Sequence, residues 1–395
     1  MKKSVLFVLS FTLVLAFTSC EKNKVETSDS FSTAVDQNGV FTSDAEVLKD
    51  RIEVVNKPII FTGKSTNELS YTWLFNATPP VMNGYTLSAS CVDGYGDYVY
   101  FGWHARGPEV MGEVSIVKLN EDPNEIAMIQ SGSFENHEFN DLEVKPNINK
   151  LFLAGGSTAD MSGNSIGDNT ALSMAYNLDP GTGISTGMDW ENNLLGYSAN
   201  SITYVANQTL WVSKGSQGGL TVFRDYDLSD VKLDMAMSNA KHFDATGDWG
   251  VLLYGVGFNE SIIKVWDMTN LYDPVTEYTL PYDVTPLGKN SVDVNHDYAY
   301  LAMGNDGVVK VDLTDGSVVD RFDYENGGFC NGIAVDWRYI YAAYGADGLF
   351  VIDKETFEII GNWDFDGSCN YVKKVGDYLY LANGDEDGLI ILKKD

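Results

Sequence analysis

Short apolar segments separated by Gly and Asp recur at regular intervals in the C-terminal third of the chain. Tyr298, Tyr339 and Tyr378 each begin a run of alternating aromatic and aliphatic residues, at intervals of about 40 residues. Each run leads through a turn that contains Asp-Gly into a second apolar run. Alternation with a period of two predicts β-strands, and Asp-Gly predicts the tight turn of a hairpin.

A polar residue close to the first strand of each unit extends the repeat upstream. An Asn or Ser occupies this place at Ser90, Asn140, Asn200, Asn239, Asn290, Asn331 and Asn370. Residues 88–395 divided among seven units give about 44 residues each, which is the length of a four-stranded propeller blade. We therefore predict an all-β fold, a seven-bladed β-propeller.

The last unit ends after its third strand, near Leu392, and lacks an outer strand. The N-terminal segment at residues 69–75 has the composition of a strand and is predicted to supply it. Pairing of the two ends of the chain would remove an exposed sheet edge and close the ring.

The first residues have the three-part pattern of a secretory signal peptide. Lys2 and Lys3 precede an apolar run at residues 5–17, and small residues then lead to Cys20. The run is shorter than the roughly 18 apolar residues that a membrane-spanning helix needs. Residues 17–20, Phe-Thr-Ser-Cys, resemble the lipobox of bacterial lipoproteins, in which the Cys thiol is lipidated. Ordinary signal cleavage that leaves Cys20 free is the alternative.

These features predict the organisation of the chain. Residues 1–19 are the lipoprotein signal peptide, residues 20–45 a flexible tether rich in polar side chains, and residues 46–395 the propeller. We expect the protein in the cell envelope, anchored by lipid at the outer membrane, with its body facing either the periplasm or the outside.

The acidic composition limits the range of partners. The chain has 56 Asp and Glu against 26 Lys and Arg, a formal net charge of −30. Such a surface repels nucleic acid and anionic lipid headgroups, so we predict no nucleic-acid partner and membrane contact through the lipid anchor alone. We also expect a monomer. Cys91, Cys330 and Cys369 are predicted to be buried free thiols.

The C-terminal units resemble the LVIVD-type repeat, a bacterial propeller repeat in which an aliphatic strand follows an Asp-Gly turn and ends in Asp. Residues 348–353, Gly-Leu-Phe-Val-Ile-Asp, carry the resemblance most clearly, and residues 307–312 carry it less closely. The resemblance implies a propeller and no single enzymatic activity.

Two sets of residues are candidates for contact with a ligand. The Asn and Ser positions named above are predicted to ring the mouth of the central channel, where they either bond the neighbouring blade or form a polar site for a sugar or a hydrated cation. Unusually long loops at residues 103–113 and 155–170 indicate a ligand face. The residues assigned to that face are Trp103, His104, Arg106, His137, Asp160 and Asp168.

The sequence indicates no metal centre and no cofactor. His104, His137, His242 and His296 are scattered and have no metal-ligand spacing. Residues 383–388, Asn-Gly-Asp-Glu-Asp-Gly, match the first half of a calcium-binding loop, but a hairpin turn explains them as well. Weak surface calcium binding stays open as a minor hypothesis.

We predict a non-catalytic binding or scaffold module for a protein or glycan partner. The recurring polar residues are amides, and a glycosidase-like enzyme needs a closely spaced acid and base. The alternative is a propeller enzyme, such as a polysaccharide lyase, a hydrolase or a lactonase-like enzyme, that acts at the channel mouth. No catalytic residue is assigned.

Overall fold

The computed structural model describes residues 39–395 with several gaps. The residues not described within this range are 63–68, 108, 159–169, 206–207, 226–229, 258, 270–273, 285–287, 325–326 and 385–387. Within the described residues the strands form seven antiparallel sheets of four or five strands, arranged as blades around a central axis. The predicted all-β, seven-bladed propeller is therefore confirmed.

The N-terminal segment and the first two blades account for strands β1 to β13. Ahead of blade 1 lie β1 (Val40–Thr42), α1 (Ala45–Leu48), a 3-10 turn (Lys49–Arg51), β2 (Ile52–Phe61), β3 (Leu69–Ala77), β4 (Val81–Met82) and β5 (Tyr85–Thr86). Blade 1 contains β6 (Ser88–Tyr95), β7 (Tyr98–His104), β8 (Gly112–Lys118), a 3-10 turn (Pro123–Glu125) and β9 (Ala127–Phe134). Blade 2 contains β10 (His137–Lys145), a 3-10 turn (Pro146–Ile148), β11 (Lys150–Ser157), β12 (Thr170–Leu178) and β13 (Ser185–Leu194).

The remaining blades follow in chain order. Blade 3 contains β14 (Ser201–Val205), β15 (Thr209–Ser213), β16 (Leu220–Arg224) and β17 (Val231–Met235). Blade 4 contains β18 (Ala240–Ala245), β19 (Trp249–Gly257), β20 (Glu260–Asp267) and β21 (Pro274–Leu280). Blade 5 contains β22 (Val292–Asn295), β23 (Tyr298–Ala302), β24 (Val308–Asp312) and β25 (Val318–Phe322). Blade 6 contains β26 (Gly332–Val335), β27 (Tyr339–Ala343), β28 (Leu349–Asp353) and β29 (Ile359–Trp363), and blade 7 contains β30 (Cys369–Val375), β31 (Tyr378–Asn383) and β32 (Leu389–Lys394).

The first strand of each blade is the innermost one. β6, β10, β14, β18, β22, β26 and β30 contact one another in succession around the axis, and β30 contacts β6 to complete the circle. All seven strands begin at the same mouth of the channel, because each blade repeats the same antiparallel strand order.

The apolar core is divided among the seven junctions between neighbouring blades. Tyr339 and Tyr341 of β27 pack toward blade 7, whereas Ile340 and Ala342 of the same strand pack toward blade 5. Successive side chains of a strand point to opposite faces, so one blade contributes to two junctions. Both faces of each sheet are therefore buried, which explains why these strands are almost continuously apolar in sequence.

The N-terminal segment closes the ring. Strand β3 pairs antiparallel with β32, so the fourth strand of blade 7 comes from the opposite end of the chain, and β2 adds a fifth strand outside it. The hydroxyl groups of Tyr71 and Tyr341 lie 2.8 Å apart, and Tyr341 donates to Asp336 Oδ2 at 2.9 Å. This buried chain of hydrogen bonds ties the closing strand to blade 6 as well.

Strand β1 and helix α1 lie at the C-terminal end of the segment predicted to be a tether. Strand β1 pairs with β9 at the outer edge of blade 1, and Gly39 packs against the ring of Phe134. The Asp44 carboxylate caps α1 by accepting from the Glu46 N–H at 2.9 Å. The end of the range assigned to the tether, residues 40–45, is therefore attached to the propeller. Among the described residues, no helix has the length and apolar character that crossing a membrane requires.

The Asp at the end of the third strand of blades 4, 5 and 6 has a local structural role. Asp312 Oδ1 accepts from the backbone N–H of Thr314 at 2.8 Å and from its hydroxyl at 2.6 Å. Asp267 makes the same pair of bonds to Thr269, at 2.8 and 2.6 Å. The side chain thus mimics a backbone turn and leads the chain into the outer strand. This explains the Asp that ends the repeated aliphatic strand.

We predict that the closing strand is essential for stability. Phe75 of β3 is fully buried at the junction of blades 7 and 1, so Phe75→Ala should lower the free energy of unfolding by about 3–5 kcal/mol. Val54 of the outer strand β2 faces Phe75 in the register but is 39% exposed, so Val54→Ala should cost less than about 1 kcal/mol. Denaturant unfolding measures both, and equal losses would contradict a closure that depends on β3.

Candidate functional site

The Asn and Ser positions at the channel mouth bond from one blade to the next. Ser90 Oγ donates to the carbonyl of Phe139 in blade 2 at 2.6 Å. Asn140 Nδ2 donates to Ser198 Oγ at 2.7 Å and to the carbonyl of Ala199 in blade 3 at 3.0 Å. These side chains satisfy backbone carbonyls at the point where the inner strands converge.

The other members of the predicted ring bond less regularly. Asn200 Nδ2 continues the pattern and donates to the Ala240 carbonyl of blade 4 at 2.8 Å. Asn290 is fully buried, and its Nδ2 donates within its own blade to the Ala302 carbonyl at 3.0 Å. Asn331 Nδ2 lies 3.4 Å from Asn370 Oδ1, its counterpart in blade 7. The amides therefore differ in how strongly they join the blades.

The register places Lys241, rather than Asn239, at the ring position of blade 4. A residue just before the ring position bridges to a glycine of the preceding blade; the pairs are Gly215 with Ala240, Gly304 with Cys330, and Gly345 with Cys369. Lys241 follows its bridging residue as Asn331 and Asn370 follow theirs. Asn239 lies two residues earlier, with a positive φ of 52°.

One of the bridging glycines is required by close packing. Gly215 has a φ of 62°, and a Cβ there would lie 2.6 Å from the carbonyl oxygen of Ser198 and 3.2 Å from the amide nitrogen of Asn200. The absence of a side chain lets the loop of blade 3 reach the Ala240 N–H, which donates to the Gly215 carbonyl at 3.2 Å. This loop forms part of the channel mouth.

Below the ring, two tiers of side chains line the channel and bond the next blade. In the upper tier the acceptors for backbone N–H groups of the next blade are Asp141, Ser201, His242 and Ser291, at 2.8–3.3 Å. In the lower tier the acceptors are Asp93, Glu143, Asp244 and Asp293. The innermost strand of each sheet is an edge strand, and these side chains satisfy its unpaired N–H groups.

Burial favours the neutral forms of four of the channel carboxylates. Burial raises the pKa of Asp141 to about 6 and that of Glu143 to about 7. Burial also raises the pKa of Asp244 and of Asp293, and the two like charges add to the effect at Asp293. Lys373 shares the lower tier: burial opposes its charge, but Asp93, Asp244 and Glu143 together raise its pKa well above the ordinary value. This layer was not predicted, although the sequence carries a signal of it, namely an acidic residue three places after the ring position at 93, 143 and 293.

A polar pocket of about 260 Å³ opens at the mouth of the channel. Its walls come from blades 1 to 4 and from the connection into blade 5, and they include His104, Glu138, Asn200, Ser216, Lys241 and Lys289. Burial lowers the pKa of His104 to about 4 and that of Lys241 to about 8. Burial raises the pKa of Glu138, which accepts from the Ser198 hydroxyl at 3.1 Å. Asn140 and Asn239 of the predicted ring also line this pocket.

Lys289 reaches across the mouth. It belongs to the connection into blade 5, yet its ammonium group donates to the carbonyl of Asn140 in blade 2 and lies 4.6 Å from the ring centroid of Tyr371 in blade 7. Burial lowers the pKa of Lys289, although Cys91 and Asp141 oppose this. The Lys289 side chain therefore places an amine donor at the upper end of the channel.

The residues assigned to a ligand face do not all meet. Trp103 is fully buried, packs on Phe101 and donates from Nε1 to Ser115 Oγ at 3.1 Å, so its ring is not available to a ligand. His137 is also buried, with Nε2 at 3.3 Å from Glu191. The assignment of these two residues to an exposed face is therefore corrected, because both side chains pack in junctions between blades.

Two further residues of that face do lie near the mouth. His104 lines the pocket, and exposed Arg106 donates to the carbonyl of Gly384 in the neighbouring loop of blade 7. Asp160, Asp168 and Cys20 lie outside the described residues.

The three cysteines predicted to be buried free thiols are Cys91, Cys330 and Cys369. All three are buried and free, which confirms the prediction.

In the described part of the chain, no group of three His, Cys, Asp or Glu side chains is placed to hold a metal ion. Surface calcium binding at residues 383–388 stays a prediction, since residues 385–387 are not described.

The fold is similar to that of solved structures, one of them a WD40 propeller, at low sequence identity. The WD40 β-propeller domain of Doa1 has a TM-score of 0.55 and 12% identity, with 82% of this chain and 96% of that one covered. The computationally designed Ika8 protein has a TM-score of 0.50 and 11% identity, with 81% of this chain and 100% of that one covered. These similarities support the architecture alone.

No protein-family model matches the chain. No curated protein matches it either.

We predict that the mouth amides contribute unequally to stability. Asn140→Ala removes two donated bonds and leaves the Ala199 carbonyl without this partner, so it should cost about 1–3 kcal/mol. Asn331→Ala removes one long contact of a half-buried side chain and should cost less than about 1 kcal/mol. Urea unfolding of both variants measures the difference, and the reverse order would argue against an inter-blade role for Asn140.

We predict that Asp141 makes the fold less stable as the pH rises. Its pKa is raised from 3.8 to about 6, so the folded state binds its proton more tightly than the unfolded state does. The resulting stabilisation is present below about pH 4 and is lost as the pH rises through about 6. Asp141→Asn keeps an oxygen for the Ile202 N–H without the charge, so between pH 4 and 7 it should gain about 2–3 kcal/mol relative to the unmodified protein.

Asp267→Asn is a control of opposite sign for this measurement. Hydrogen bonds from Thr269 lower the pKa of the exposed Asp267 carboxylate. Its stabilisation is therefore present at neutral pH and is lost on acidification, so this variant should lose stability relative to the unmodified protein as the pH rises. Parallel pH profiles for the two variants would contradict the assignment of Asp141.

Proposed function

We propose that the protein is a non-catalytic binding module that holds a protein or glycan partner at the channel mouth of its propeller. The observation that carries this proposal is the polar pocket at the mouth, whose walls bring together side chains from several blades. Concave sites with a few convergent polar groups are typical of ligand binding, and propellers commonly present such sites on one face.

The state of the channel carboxylates supports binding rather than catalysis. Asp93, Asp141, Glu143, Asp244 and Asp293 each accept a backbone N–H of the next blade. Carboxylates held in this way act as connections between blades, whereas a glycosidase needs one carboxylic acid and one carboxylate directed at the substrate.

The proposed location rests on the N-terminal sequence. The signal-peptide pattern at residues 1–19 and the lipobox-like residues 17–20 support export and lipid attachment at Cys20. We propose that the protein is a monomeric lipoprotein of the cell envelope at the outer membrane. The repeat pattern over residues 289–395 supports kinship with LVIVD-type repeat propellers.

A propeller enzyme is the second candidate function. The same pocket contains Glu138, whose pKa is raised by burial, and Lys241, whose pKa is lowered to about 8 by burial. Groups shifted in this manner are suited to general acid and base roles near neutral pH. Cleavage of a polysaccharide or a lactone by the purified protein, abolished by Glu138→Gln, would support this alternative.

We predict that obstruction of the mouth abolishes partner binding. Ser216 is exposed and lines the pocket, so Ser216→Trp should fill part of the pocket without disturbing the core. Ser317 is also exposed but lies in the turn between the third and fourth strands of blade 5, at the opposite end of the blade. Ser317→Trp is therefore a matched control.

The experiment presents the full chain and both variants to a glycan array and to the envelope proteins of the source organism. A partner retained by the unmodified protein and by Ser317→Trp, and reduced at least about tenfold with Ser216→Trp, is the expected result. Equal retention by all three would place the binding site elsewhere and contradict the proposal.

A further inference from the structure

The basic side chains at the mouth contrast with the acidic composition of the chain. The chain has a formal net charge of −30, yet Lys241 and Lys289 both line the mouth pocket. Glu138 is the only carboxylate among the described residues of its lining, and burial shifts it toward its neutral form. The lining thus holds more basic than acidic side chains, and burial also lowers the pKa of both lysines.

Lys289 is held in place without a charged partner. Its ammonium group donates to the Asn140 carbonyl and packs over Tyr371 at 4.6 Å. Within the part of the chain that the structure describes, it forms no ion pair with a carboxylate. An ammonium group has three donors, so donor capacity remains after the bond to the carbonyl. An anionic ligand would stabilise the charged form of this half-buried ammonium group by forming an ion pair with it.

Several neutral polar groups line the pocket beside the two lysines, while the Asp141 and Asp283 carboxylates act on Lys289 and Lys241 from outside the lining. Asn200 and Ser216 offer amide and hydroxyl groups, and the lowered pKa of His104 leaves a neutral imidazole that both donates and accepts. Groups of this kind can form hydrogen bonds with the hydroxyl groups of a sugar, while the lysines can bind a carboxylate. A volume of about 260 Å³ is below the usual range for drug-sized ligands and matches a single small unit.

We infer that the mouth pocket binds the carboxylate of a sugar acid, such as the uronate unit of an acidic glycan, with Lys289 and Lys241 holding the carboxylate and the surrounding polar groups holding the hydroxyls. This inference rests on the proposed binding function and names its ligand class. The negative surface outside the pocket would then restrict acidic glycans to contact at this one place.

The direct test is calorimetric titration of the full chain with sodium glucuronate, with glucose as the neutral analogue. Glucuronate should bind at least about tenfold more tightly than glucose, because glucose lacks the carboxylate that would pair with the Lys289 ammonium group. Titration with glutamate separates a sugar-acid site from a general carboxylate site. Glucuronate should bind more tightly than glutamate, and equal affinities would overturn the sugar assignment.

Substitution of the lysines tests the residues. Lys289→Gln should weaken glucuronate binding about tenfold, and Lys289→Arg should restore part of it. Lys310 also lies over a tyrosine ring, at 4.3 Å from the centroid of Tyr298, but it is absent from the pocket lining, so Lys310→Gln should leave the affinity unchanged. If Lys289→Gln proves unfolded by thermal denaturation, Lys241→Gln serves in its place.

The outcomes separate this inference from the proposed function. No glucuronate binding, or binding that neither lysine substitution weakens, overturns the sugar-acid inference. If the chain still retains a partner that Ser216→Trp releases, the mouth remains a binding site for a different chemistry. If glucuronate binds as expected and competes with the retained partner, both are supported.

Discussion

The structure depends on burial of both faces of every blade. Tyr341 and Ile340 are neighbours in one strand, yet they belong to apolar clusters on opposite sides of it. Both faces of a single blade are therefore apolar and must be covered, so a blade is stable only between two others. The ring must close for the first and last blades to meet this condition. Strand β3 provides that closure, because it pairs with β32 and places Phe75 in the junction between blades 7 and 1.

The same constraint explains why the architecture could be predicted from the sequence. Period-two alternation identifies strands, and Asp-Gly turns identify the hairpins that join them. The incomplete last unit also indicated the closing strand, and residues 69–75 lie within β3 as expected. The attachment of residues 40–45 to the propeller was harder to predict, since Val40–Thr42 is a short edge strand whose polar surroundings resemble those of a tether.

The site was only partly predictable because its geometry depends on register. Asn239 matches the repeated amide by type, but the bridge between Gly215 and Ala240 places Lys241 at the ring position. Trp103 was assigned to a ligand face because its loop is long, although alternation along the strand places it with Phe101 in the junction between blades 7 and 1. Lys289 could not have been found by any local pattern, since its contacts lie in blades 2 and 7.

The position of Lys289 changes how the central opening is to be understood. Its side chain reaches from the connection into blade 5 to contacts in blades 2 and 7, above tiers of acidic groups that are already engaged in hydrogen bonds. A ligand in the proposed mouth pocket would therefore meet the Lys289 amine before it could reach the carboxylates below.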